Sequence, residues 1–193
     1  MRVAVLFGTT LACVTAIWAY NPGLSQAVKL QDGKVYFVQP PRLLDTATTF
    51  NDVNVWGATY YFTVRLPENA GESLQRITIN QHEGVDNIRF DLKDSFAFEG
   101  TRDNEGQKLG LKDAISDRKT QTVELTFDPP VSPGKTITIA LKPVQNPMVE
   151  GVYLFGVTAF PAGEISHGQF LGFGRLHFYR HGFNSYSNPR FSK

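Results

Sequence analysis

Four histidines, His82, His167, His177 and His181, are the side chains best suited to holding a metal or moving a proton near neutral pH. His177 and His181 lie closest in sequence, both on the strand face opposite Leu176 and Phe178, with Tyr179 between them. Four residues of extended chain cover about 13 Å, whereas ligands of one ion sit ~2 Å from it. The pair shares a metal only if Gly182 bends the chain sharply, with His82 arriving from another strand. The plainer reading is edge histidines facing solvent.

Carboxylates and nucleophile motifs offer less. Asp91 with Asp94, and Glu124 with Asp128, are near in sequence, but a glycoside-hydrolysing pair is defined by separation in space. Asp103-Asn104-Glu105-Gly106 lacks the alternating spacing of a calcium loop and reads as a loop tip. Gly71-Glu72-Ser73-Leu74-Gln75 opens like a nucleophile elbow, yet Gln75 stands where the second Gly is required. Gly134-Lys135-Thr136 ends like a phosphate-binding loop, but Pro129 holds the place of the first Gly. Pro130 and Pro133 also lack the N–H groups that cradle phosphate. Gly172-Phe173-Gly174 leads into a strand and not a helix, so a dinucleotide reading fails on context. No catalytic, cofactor-binding or metal-binding residue is assigned.

The elements that must position any site repeat every two residues. Tyr60, Phe62, Val64 and Leu66 point one way, while Thr59, Tyr61, Thr63 and Arg65 point the other. Ile77 and Ile79, then Val123, Leu125 and Phe127, then Ile137, Ile139 and Leu141 alternate with polar residues in the same manner. Val35 to Val38, Ile88 to Leu92, Val152 to Phe160 and Arg175 to Tyr179 supply further strands. Turn signals separate them, among them Pro40-Pro41, Ser132-Pro133-Gly134 and Pro161-Ala162-Gly163. At most one helical turn fits near Glu68–Leu74 or Leu109–Ile115. The pattern predicts an all-β fold, an antiparallel immunoglobulin-like β-sandwich of about seven to nine strands. Glu150-Gly151-Val152-Tyr153-Leu154-Phe155 sharpens it, because it resembles a tyrosine corner, with the phenol bonded to upstream backbone and Phe155 in the core.

Met1-Arg2 precedes an apolar run from Val3 to Tyr20, and Ser25-Gln26-Ala27 follows the breaker Asn21-Pro22-Gly23. Small residues at Ser25 and Ala27 fit a signal peptidase, which predicts a leader over residues 1–27 cleaved after Ala27. The rivals are an uncleaved anchor and a lipoprotein at Cys13. The run is short for the ~20 residues that span a bilayer, and Thr10 stands where a lipoprotein signal needs an aliphatic residue. Removing 27 of 193 residues leaves 166, without Arg2 and without Cys13, the one cysteine. A thiol-free chain suits an oxidising compartment, and one of this length buries about 70% of its unfolded surface without staples.

The organisation expected is the leader, a single β-sandwich domain over residues 28–181 and a flexible tail over 182–193. A formal charge of +1, from 19 basic and 18 acidic residues, gives no field to attract nucleic acid or an anionic membrane. Membrane contact is therefore expected only through the leader before cleavage. Gln39 to Gly57 and Gly100 to Gln121 are long for connections and carry polar and aromatic residues, as binding loops do, unless they hide short strands. The tail, with Phe183, Tyr186 and Phe191, reads as a frayed end or as a segment that docks on a partner.

Three stretches together resemble one family. They are Trp56 to Val64 with Ala70 to Ile77, Phe127 to Lys135, and Gly151 to Gly163, with Gly172 to Tyr179 closing the match. They are similar to small secreted cyanobacterial proteins of a family of unknown function. The resemblance implies export, to the periplasm or the thylakoid lumen, and transfers no functional residue. The expected role is a non-catalytic binding or structural protein of the cell envelope, whose partner is an unidentified protein or glycan. The alternatives are an enzyme acting on envelope polysaccharide through carboxylates of separate loops, and a periplasmic metal carrier.

Overall fold

The computed structural model describes residues 33–180 and the backbone of Val28–Lys29. The expected leader and tail, and His181, lie outside these residues. Among them the regular structure is strand throughout: β1 Val28–Lys29, β2 Val35–Tyr36, β3 Arg42–Thr48, β4 Tyr60–Arg65, β5 Leu74–Glu83, β6 Phe90–Thr101, β7 Asn104–Lys108, β8 Leu111–Asp117, β9 Thr122–Val131, β10 Thr136–Pro143, β11 Gly151–Pro161 and β12 Gln169–Phe178. Two five-stranded antiparallel sheets, ordered β3-β4-β10-β6-β7 and β12-β11-β5-β9-β8, form an immunoglobulin-like sandwich beside the small β1-β2 ladder.

Alternation builds the core as expected. Tyr60, Phe62 and Val64 of β4 face Phe155 of β11 and Phe178 of β12, all within a few per cent of full burial. Tyr60 meets Phe155 at 6.1 Å and Phe178 at 5.6 Å between ring centroids, and Phe62 meets Phe155 at 5.6 Å. Burying each such side chain contributes about 1.5–3 kcal/mol, and inclined ring pairs add ~0.5–1.5 kcal/mol each. On the outward face of the first sheet the Thr63 and Thr138 hydroxyls share a hydrogen bond of 3.0 Å, and Thr138 Oγ1 also donates to Gly100 O.

Both long stretches contain strand, the second for most of its length. The first holds β3 and the second holds β7 and β8, so the sheets contain more strands than alternation revealed. Bulges explain why. In β8 the register slips between Leu111 and Asp113, so Leu111 and Ala114, three residues apart, both pack on the core. That spacing imitates a helical turn, and Leu109–Ile115 is mostly edge strand instead. β3 slips in the same way between Leu43 and Asp45. The strand expected over Ile88 to Leu92 begins at Phe90 and runs to Thr101, leaving Ile88 and Arg89 in a loop.

Ser132-Pro133-Gly134 and Ala162-Gly163 turn as Gly and Pro predicted, whereas Asp128-Pro129-Pro130, which also carries a turn signal, lies inside β9. Gly134 has φ +85° and donates its N–H to Leu66 O and Pro67 O, so Gly134-Lys135-Thr136 is a turn entering β10. Lys135 reaches across to Glu99 at 2.7 Å. Asp103 lies in the two-residue tip between β6 and β7, and Gly172-Phe173-Gly174 lies inside β12.

Candidate functional site

One pole of the sandwich gathers the β3–β4, β5–β6 and β10–β11 loops, the β8–β9 turn and the end of β12. Side chains reaching out of the core fix the backbone of these loops. Asn146, 2% exposed, donates through Nδ2 to Phe50 O at 3.0 Å and Asp52 O at 2.8 Å. Its Oδ1 accepts the Tyr60 hydroxyl at 2.9 Å. Gln81, at the end of β5, donates to Asp86 O and accepts the Ile88 N–H at 2.9 Å, which curls the β5–β6 loop. The Asp86 carboxylate accepts Met148 N–H at 2.6 Å and Val149 N–H at 2.9 Å, tying that loop to the next.

The tyrosine corner is present. Tyr153 donates its hydroxyl to Val149 O, four residues upstream, at 2.9 Å, and accepts the Asp86 N–H at 3.4 Å. Phe155 is fully buried, as the motif requires. Burial pushes the Tyr153 phenol above its ordinary value, against the Asp86 N–H that favours the ionised form. The Tyr153 ring also dictates Gly84: a Cβ there falls 2.2 Å from its Cδ1, and φ is +141°.

On this held frame apolar side chains stand in solvent. Trp56 is 66% exposed, Met148 65% and Val85 73%, with Phe50, Val149 and Tyr179 beside them in the same loops or at the end of β12. Two cavities flank the Asn87–Arg89 segment. One of about 430 Å³ lies between it and the β8–β9 turn, lined by Asn87, Arg89, Ser116, Asp117, Arg118 and Gln121 over an apolar wall that includes Ile88 and Phe90. The other, about 230 Å³, lies toward Gln145–Met148. Arg89 and Arg118 make no ion pair among the described residues, unlike Arg76, which meets Glu124 at 2.9 Å.

The three described histidines do not assemble. His82 packs on Phe173 with centroids 4.8 Å apart, His167 on Tyr36 at 4.7 Å and His177 on Tyr179 at 6.2 Å. No three His, Cys, Asp or Glu side chains gather into a metal-binding group among the described residues. Of the carboxylates considered from sequence, Asp91 accepts the Lys93 N–H and Glu124 pairs with Arg76. Glu72 and Glu164 share a depression of about 600 Å³ at the opposite pole.

Arg89 was hidden from sequence reasoning because the Ile88 to Leu92 run looks like strand from its first residue. Ser116, Asp117 and Arg118 fall within the long polar stretch 100–121 without being singled out by it, and they reach the cavity as the end of a strand and its turn. Gly84 and Gln121, with φ +141° and +54°, mark the ends of the segments that frame the cavity.

A family profile described as "Protein of unknown function (DUF2808)" matches residues 34–178. No curated protein matches the chain. Among solved structures it is similar to the C-terminal domain of the antigen I/II polypeptide BspA of Streptococcus agalactiae, with 15% identity and a TM-score of 0.41 over 71% of this chain and 48% of that one. It is also similar to the collagen-binding domain of a Staphylococcus aureus adhesin, with 12% identity and a TM-score of 0.37 over 71% and 98%. An uncharacterized Nocardia farcinica protein with an immunoglobulin-like fold gives 12% identity and a TM-score of 0.37 over 69% and 96%. The chain spans about half the length of the antigen I/II chains it matches.

Proposed function

This chain belongs to the DUF2808 family, and we propose on that footing that it is an exported, non-catalytic binding domain whose loop pole meets a protein or glycan of the cell envelope. One observation carries the reading. Trp56, Met148 and Val85 stand exposed on loops whose backbone is bonded into the core through Asn146, Gln81 and Asp86. Exposed apolar groups on a fixed backbone bind at low ordering cost, and a concentration of them at one pole marks an interaction surface. Export is supported by the leader pattern over residues 1–27 and the thiol-free remainder. The periplasm is the destination we favour, with the thylakoid lumen as the other.

The test is retention on isolated envelope fractions. Wild-type protein is expected to be retained, Trp56→Ala and Met148→Ala to be released, and Ile165→Ala, exposed at the opposite pole, to behave as wild type. Equal retention of all four proteins overturns the reading.

A second reading attaches to Glu72 and Glu164, two carboxylates in one depression as a polysaccharide-acting enzyme needs. Release of reducing ends from envelope polysaccharide, lost in Glu72→Gln and in Glu164→Gln, is its expected signature. Turnover that survives both substitutions excludes these residues.

A further inference from the structure

The cavity between the β5–β6 loop and the β8–β9 turn has a chemistry that narrows its ligand. Arg89 enters from the first loop and Arg118 from the second, and neither forms an ion pair with a carboxylate among the described residues. Guanidinium forks match carboxylate oxygens in planar, bidentate fashion. Asp117 lines the same cavity. It accepts the Lys119 N–H at 2.8 Å, and that bond, with the Thr120 hydroxyl, holds its carboxyl below the ordinary value. A carboxylate offers about four lone-pair sites, and the Lys119 N–H, the Thr120 hydroxyl and the Thr120 N–H already bond to Asp117, so it keeps capacity to accept about one donor from a ligand.

A ligand that satisfies both halves carries an anionic group for the arginines and a hydroxyl donor for Asp117. A bare phosphate meets Asp117 with like charge. A fatty acid brings a carboxylate without further donors. Asn87, Gln121 and Ser116 add amide and hydroxyl groups that donate and accept, as ring hydroxyls require. Ile88, Phe90 and Val123 supply an apolar wall for the C–H face of a sugar ring. The volume of about 430 Å³ lies in the range of small-ligand sites. The turn is also held in an uncommon conformation: Gln121 has φ +54°, and its carbonyl accepts the Gln81 N–H at 3.0 Å. Such backbone clusters at binding sites.

We propose that this cavity binds an acidic sugar unit, with Arg89 and Arg118 on its carboxylate and Asp117, Asn87 and Gln121 on its hydroxyls. The proposal rests on the loop pole being the binding surface and names what one part of that surface takes.

The probe is a galacturonate trimer, titrated calorimetrically into the purified protein at low salt. A neutral galactose trimer, tetraglutamate and inorganic phosphate are the comparisons. Saturable binding of the galacturonate trimer is expected, at least tenfold tighter than any comparison. Arg89→Gln and Arg118→Gln are each expected to weaken it about tenfold, and Asp117→Asn to weaken it while letting phosphate bind better, because the like charge that repels phosphate is gone. Both arginines are exposed, so unchanged melting temperatures identify a lost contact and not a lost fold.

Arg65→Gln, at an exposed arginine outside the cavity lining, is expected to leave trimer binding intact. Equal binding of the neutral trimer, of tetraglutamate or of phosphate overturns the proposal, as does binding indifferent to both arginine substitutions. If the trimer fails to bind while envelope retention still depends on Trp56, the acidic-sugar assignment falls and the loop-pole reading stands. If retention is also indifferent to Trp56, both fall.

Discussion

The Tyr60 hydroxyl donates to Asn146 Oδ1 at 2.9 Å, a buried bond between residues 86 positions apart. Tyr60 sits among the core aromatics, and Asn146 holds Phe50 O and Asp52 O, so one bond joins the packed interior to the loop pole. Tyr60→Phe leaves Asn146 Oδ1 buried without its donor and is expected to cost ~1–3 kcal/mol. Asn146→Ala strands the Tyr60 hydroxyl and two backbone carbonyls and is expected to cost more. Chemical denaturation of the two variants checks the order. A Tyr60→Phe variant as stable as wild type removes this bond from the account of the frame.

Alkaline pH strikes the same residue. Burial, with Tyr153 nearby, pushes the Tyr60 phenol far above its ordinary value of 10.0. Tyr153 is raised as well, chiefly by burial. In the unfolded chain both ionise at about pH 10, while the folded protein keeps their protons. Above that pH the unfolded state binds fewer protons, so stability falls as pH rises. Melting temperature is expected to be indifferent to these two groups through neutrality and to drop above about pH 10. Tyr60→Phe should show a shallower drop. An identical alkaline profile in wild type and variant assigns the loss to other groups.

Gly84 is required by the ring of Tyr153. A Cβ at this position falls 2.2 Å from Cδ1 and 2.6 Å from Cε1 of that ring, on a backbone at φ +141°. Gly84→Ala is therefore expected to destabilise by about 1–3 kcal/mol through overpacking, with backbone strain added. It should also displace the Asp86 N–H from the Tyr153 hydroxyl. Thermal melts measure the first effect, and faster amide exchange at Asp86 and Ile88 the second.

A separate close approach seals the sheets along one side. Gly174 of β12 lies against Thr46 of β3, and a Cβ on Gly174 falls 2.4 Å from Thr46 Oγ1. Gly174→Ala should cost about 1–3 kcal/mol, and Gly174→Ala with Thr46→Ala should recover part of it. A double variant no better than the sum of the single ones shows that the two positions are not coupled.

At the N-terminus the expected outcome is cleavage after Ala27. Intact mass of the exported protein checks it directly, and a chain that retains Met1 or begins at Cys13 overturns it.

Much of the sandwich was legible because its inner faces obey a period of two. Tyr60, Phe62 and Val64, or Val123, Leu125 and Phe127, share one face only on a strand, and all are buried. The tyrosine corner was legible too, because its bond runs only from Tyr153 to Val149, within one local turn. Period failed where bulges reset the phase, at Leu111–Asp113 and Leu43–Asp45, and there edge strands passed for loops.

The candidate site lay further out of reach. Arg89 and Arg118 are 29 positions apart, and nothing local requires them to face one cavity. Their meeting depends on which strands become neighbours, with β5 beside β9 in one sheet and β6 across from them in the other. Local sequence determines alternation, turns and the corner, because those are contacts between near neighbours. Only the tertiary structure decides which loops share a pole, because strand order is settled by the packing of the whole core.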